Sequence, residues 1–132
     1  MATADLNLTK ETFDDGLETI LIRRKGGRII GGRTLNLEGF TEDKVKGGHI
    51  IIKSKTDNYD LRPLPVSNGA FGALTEGFEY AGILVRTVTA KDPRAAIQYD
   101  GEINDLAMPY PLTDALRAAL KTALPSLHFD HD

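Results

Sequence analysis

A chain of 132 residues has the length of one domain and can bury a modest core, but it has no cysteine, which excludes disulfides and thiolate metal sites. A formal net charge of -3 argues against generic nucleic-acid binding, and no apolar run approaches the roughly 20 residues that span a bilayer. Met1-Ala2-Thr3-Ala4-Asp5 lacks a basic stretch followed by an apolar one, so no secretory signal is expected. Thirteen glycines and six prolines imply many turns and a β-dominated body.

Leu6-Asn7-Leu8-Thr9 alternates apolar and polar residues, the pattern of a short strand with one apolar face. Such a terminal strand docks on its own domain, docks on a partner, or stays disordered. Lys10 to Gly16 suits one helical turn capped by Thr9 or Thr12. Leu17 to Arg24 then reads as a strand, Lys25-Gly26-Gly27 as a tight turn, and Arg28 to Leu37 as its return. Gly31-Gly32 in mid-strand marks a bulge or a close backbone contact. This hairpin gathers Arg23, Arg24, Lys25, Arg28 and Arg33. Two readings stand: a solvated tip balanced by Asp14, Asp15 and Glu18, or a contact surface for an acidic partner. No aromatic residues interleave the cations, and Lys25-Gly26-Gly27-Arg28 lacks the spacing of a phosphate loop.

Glu38 to Asp43 is a loop, and the glycines after Lys46 feed a strand with Ile50 and Ile52 on one face and His49 and Ile51 on the other. His49 has no histidine or carboxylate at ligand spacing and reads as a strand residue. Tyr59 to Val66 is extended, because Pro63 and Pro65 fix φ and restrain their predecessors; it reads as a connector between two β-rich regions. Ser67 to Gly77 is loop-like, yet Ala70-Phe71-Gly72-Ala73-Leu74 implies packing. Gly77 to Val88 is the longest apolar and β-branched run. It predicts an interior strand with Ile83, Val85 and Thr87 on one face and Leu84, Arg86 and Val88 on the other.

Thr89 to Arg94 turns the chain, and Ala95 to Tyr99 runs into Asp100-Gly101, a hairpin signal whose return is Glu102-Ile103-Asn104. The one clear helix follows Pro109-Tyr110-Pro111-Leu112: Thr113 is its N-cap, Asp114 complements its dipole, and Pro125 closes it. Leu116, Ala119, Leu120 and Ala123 form its apolar stripe. His128, Asp130, His131 and Asp132 at the tail lack the outer support of a built metal site. No nucleophile and base stand at a recognisable spacing, so neither catalysis nor a metal or cofactor is expected.

One order of elements stands out: a Gly-rich apolar turn (Asn68-Gly69-Ala70-Phe71-Gly72), Gly77 through Ala81-Gly82-Ile83-Leu84, and Ile97 to Ile103. The Pro-flanked helix from Thr113 and a closing Leu127-His128-Phe129 complete it. From about Leu64 to Phe129 this order resembles the head decoration proteins of tailed phages, the lambda-type capsid-stabilising family. The residues before it depart from that pattern and carry a separate β-rich region.

The resemblance implies a mixed, β-dominated α+β fold: a small β sheet or barrel-like core with one C-terminal helix, plus an N-terminal β-rich region. The expected division is an arm and short turn over 1–16, a β-rich hairpin region over 17–62 and a decoration-protein-like domain over 63–132. It also implies a structural virion protein on the outer face of an icosahedral phage capsid, made in the host cytoplasm. Its partner would be the major capsid protein, with homo-oligomers expected and a trimer favoured, and with no nucleic acid or membrane involved. Capsid contacts are then expected at Leu6, Asn7, Leu8 and Thr9, with Arg23, Arg24, Lys25 and Arg28 as a secondary patch. The alternative is a small β-rich binding module for glycan or peptide, with Phe71, Phe78, Tyr80 and Tyr110 lining a groove.

Overall fold

Ile50, Ile51 and Ile52 are consecutive and all buried, which a strand permits only when both of its faces are covered. The computed structural model describes residues 18–24, 26, 28–37, 40, 43–57, 60–67 and 69–130. Among them a helical turn, Glu18–Leu21, leads into β1 (Ile22–Arg24) and β2 (Arg28–Thr34), followed by β3 (Lys44–Val45). Then come β4 (Ile50–Ser54), β5 (Leu61–Pro63), and the small pair β6 (Val66–Ser67) and β7 (Ala70–Phe71). β8 (Phe78–Leu84), β9 (Val88–Thr89), β10 (Arg94–Gln98) and β11 (Gly101–Asn104) follow. A 3-10 turn, Asp105–Ala107, the long helix Asp114–Ala123 and β12 (Leu127–Asp130) complete the order. The fold is β-dominated, with one helix near the C-terminus.

β8 occupies the middle of a five-stranded sheet ordered β2-β10-β8-β4-β5, as its two-sided apolar sequence predicts, but it ends at Leu84. Val85, Arg86 and Thr87 of the expected run lie outside it, and Val88 opens β9, which pairs with β3. The sheet curls until the chain just after β2 meets its far edge: Leu35 bridges Leu61, and the Asn36 amide donates to the Leu61 carbonyl at 2.7 Å. Inside the curl lie Leu35, Val45, Ile51, Leu61, Leu84, Val88 and Ile97. On the outer face Ile50, Ile52 and Ile83 pack with Leu21, Leu64, Ile103, Leu120 and Leu127. Alternation along β4 thus feeds two cores from one strand, at about 1.5–3 kcal/mol per buried isoleucine.

Neither predicted hairpin forms. The two stretches pair with each other instead: β2 runs antiparallel to β10, with Arg28 opposite Gln98, and β1 runs antiparallel to β11, with Arg24 opposite Glu102. Together they make one bent ribbon that leaves the five-stranded sheet and enters a three-stranded sheet, β1-β11-β12. The corner needs residues without side chains. A Cβ on Gly26 would stand 2.2 Å from the Asp100 carbonyl oxygen, and one on Gly101, at φ +117°, would stand 2.4 Å from that of Arg24. Gln98, fully buried, fastens the bend by donating from Nε2 to the Arg24 carbonyl at 3.1 Å. A tight turn and a sheet corner make the same demand for glycine, so the local signal locates the bend without naming its partner.

Other expectations meet similar outcomes. The Gly31-Gly32 bulge is present: Arg33 faces Ala95 while Ile29 faces Ile97, so β2 carries the extra residues. The expected strand from Leu17 starts only at Ile22, after the helical turn that buries Leu21. Pro63 lies within β5, opposite Ile51, so the proline stretch is part of the sheet and not a connector. Strands from 17–62 and from 63–132 share the same two sheets, β2, β4 and β5 with β8 and β10 in one and β1 with β11 and β12 in the other. The helix begins as predicted, with Thr113 Oγ1 accepting from the Leu116 amide at 3.2 Å. It crosses from β11 to the parallel β12 and packs Leu116, Leu120 and Leu124 on the outer core, while Ala123 is exposed.

Candidate functional site

The ribbon corner receives part of the predicted basic patch. Arg23 Nε pairs with Glu102 Oε1 at 3.1 Å, so part of its charge is balanced across the ribbon. Arg24 is exposed, with its carbonyl held by Gln98. Arg28 begins β2 on the other side of the bend. These three residues flank a corner between two sheets and not a hairpin tip. Lys25, Leu6, Asn7, Leu8 and Thr9 lie outside the described residues, as do His131 and Asp132 of the tail.

His49 is buried in a cluster that its sequence surroundings do not announce. Gly48, at φ +95°, donates its amide to the Leu84 carbonyl at 2.7 Å, and the Leu84 amide donates to the His49 carbonyl at 2.9 Å. This turn pins the His49 backbone against the end of β8. Its Nε2 lies 2.8 Å from the Leu64 carbonyl, which only accepts, so Nε2 carries the proton. Phe40, Phe71 and Tyr110 surround the ring in edge-to-face contacts, with centroids 5.7, 5.1 and 6.0 Å away. Burial pushes the imidazole down to about 4, against a smaller upward pull from the Leu64 carbonyl. The cluster is therefore a neutral one near pH 7, opening on a cleft of about 130 Å³ lined also by Lys44 and Lys46.

Three of the four aromatic residues expected in a glycan groove have other neighbours. Phe71 and Tyr110 contact His49 and each other, at 5.2 Å between centroids. Phe78 packs on the outer core with the Arg62 guanidinium 5.0 Å from its ring centroid. Arg62 is held there by a fork on Asp60, at 2.9 and 3.1 Å, which keeps the Asp60 carboxyl below its usual range.

Tyr80 lies at a real groove. β10 pairs with β8 only at Ile83 and Leu84, because the chain turns away after Gln98 towards β11. Beyond that point Tyr80 pairs with Ile52 of β4, Ala81 is the extra residue at the bulge between the Ile52 and Ile51 pairings, and neither has a β10 partner among the described residues. A cavity of about 380 Å³ opens there, lined by Lys53, Glu79, Tyr80, Ala81, Tyr99, Ala123 and Leu124. Lys53 Nζ and Glu79 Oε1 stand 3.6 Å apart at its rim. Burial pushes the Tyr80 phenol up, so it stays protonated and able to donate. The sequence reading missed Tyr99, whose only signal was a ring beside the Asp100-Gly101 bend. Among the described residues no three carboxylate, histidine or cysteine side chains converge as metal ligands.

Comparison with family models, with curated proteins and with solved structures finds no match to this chain.

Proposed function

We propose that this chain is a structural virion protein that binds the outer face of an icosahedral phage capsid and stabilises the shell. The single observation that carries the reading is the order of elements: glycine turn, central strand β8, the stretch through β10 and β11, the Thr113-capped helix and the closing strand β12. That order resembles the lambda-type decoration family, and here it builds one body from two cores. Leu6-Asn7-Leu8-Thr9 supplies an alternating segment able to add to a sheet of the major capsid protein, its proposed partner. Arg24 and Arg28, on either side of the ribbon corner, supply a secondary basic contact. Bracing a shell needs no chemistry, only a rigid body repeated over many sites, with a homotrimer as the favoured unit.

Occupancy stabilises the shell by mass action, about 2.7 kcal/mol per site at a free concentration near one hundred times Kd. The test is co-sedimentation with expanded, undecorated capsids of the protein's own phage. Saturable binding that raises the shell's resistance to heat is the expected result, and deletion of residues 1–9 should abolish it. Absence of binding at both low and moderate salt would overturn the proposal. Full occupancy by the truncated chain would remove the arm's role.

A further inference from the structure

We propose that the groove where β8 parts from β10 is a binding site for a short neutral saccharide. The inference does not depend on shell binding. Tyr99 is 43% exposed, one of three large apolar side chains so exposed among the described residues. It lines the same cavity as Tyr80, and neither phenol makes a hydrogen bond among the described residues. Two rings with available hydroxyls offer what a pyranose needs, an apolar surface for its C–H face and polar groups at the rim.

The rest of the lining fits the same ligand. Lys53 and Glu79 are about one-third and one-half exposed and only loosely paired, so both keep hydrogen-bonding capacity for vicinal hydroxyls. Their charges cancel, which selects against an anionic or cationic ligand. Ala123 and Leu124, at the end of the long helix, form an apolar wall. Tyr80 and Ala81 line the cavity where β8 has no β10 partner among the described residues. The volume, about 380 Å³, lies within the range of roughly 300–1,000 Å³ common for small-molecule sites.

The chain has four tyrosines and no tryptophan, and two of the four, Tyr80 and Tyr99, line the groove, so tyrosine fluorescence carries a signal from it that the amide shifts assign. The full chain is titrated separately with maltotriose, cellotriose and triacetylchitotriose, all neutral, following fluorescence and backbone amide shifts. At least one sugar should give saturable shifts concentrated at Tyr80, Ala81, Tyr99 and Leu124. Tyr99→Ala, at an exposed position, should weaken binding about ten-fold with an unchanged unfolding midpoint. Glu79→Gln should weaken it less while leaving the groove's shape intact. No shift at these amides with any of the three sugars overturns the assignment, as does undiminished binding by Tyr99→Ala. Shifts produced instead by a synthetic peptide of residues 3–12, and not by sugars, overturn it as well and make the groove an acceptor for a strand. None of these outcomes alters the shell-binding result.

Discussion

Lowering the pH from 7 to 5 should destabilise this fold by about 2 kcal/mol through His49 alone. In the unfolded chain the imidazole titrates at its ordinary value of 6.5, whereas burial holds it at about 4 in the native state. Between those values the unfolded chain binds the proton and the native chain does not. His49 therefore favours folding in full above pH 6.5 and loses that contribution as pH falls towards 4. Linkage puts the loss at about 1 kcal/mol at pH 6, ~2 at pH 5 and ~3 at pH 4. The structural cause is specific: a proton on Nδ1 would create a cation among Phe40, Phe71 and Tyr110, with Lys44 and Lys46 lining the cleft beside it. Asp60 and Asp92 do not obscure the window. Arg62 and Arg94 hold their carboxyls below the usual 3.8, so their contribution is lost only as pH falls through that value and below. Urea unfolding followed by circular dichroism at several pH values between 7 and 5 measures the slope. His49→Gln keeps an amide able to reach the Leu64 carbonyl and removes the titration, so its slope should nearly vanish. A flat wild-type profile, or an equal slope in His49→Gln, would refute the reasoning.

Two further perturbations probe the architecture. Gly101→Ala should cost at least about 2 kcal/mol in urea unfolding, because its Cβ meets the Arg24 carbonyl at a positive φ. Gly69→Ala, also at positive φ but with nothing within 4 Å, should cost about 1 kcal/mol, and equal costs would count against the corner. Arg117→Ala should destabilise by about 2 kcal/mol, since Asp105, with a side chain 5% exposed, loses the guanidinium 2.6 Å away. The same arginine also reaches the Phe129 carbonyl at 3.3 Å, so the change should loosen β12, read as faster amide exchange there. Additive costs in an Asp105→Ala and Arg117→Ala cycle would show that the pair is not coupled.

What the sequence determined by itself is local. Thr113 followed by Asp114 and a stripe at helical spacing specifies a capped helix, because its hydrogen bonds join residues a few positions apart. The apolar run of β8 and the alternation of Ile50, Ile51 and Ile52 specify strands covered on both sides, since side-chain direction follows from the backbone period. Gly31-Gly32 marks a bulge or a close backbone contact, which the β2–β10 register resolves as a bulge, and the two glycine bends mark where the chain turns. Tertiary structure alone decided which strands meet. Two apparent hairpins became one bent ribbon, because the corner at Gly26 and Gly101 is built from residues 75 positions apart, as long-range as the Gln98 bond to Arg24 that closes it. The same distance hid the aromatic cluster. His49, Leu64, Phe71 and Tyr110 come from separate turns and strands, so their hydrogen bond and ring contacts exist only after the sheet has curled. The groove is likewise a product of pairing. It opens because β10 leaves β8 after Gln98, and no spacing within either strand encodes the point at which two strands part.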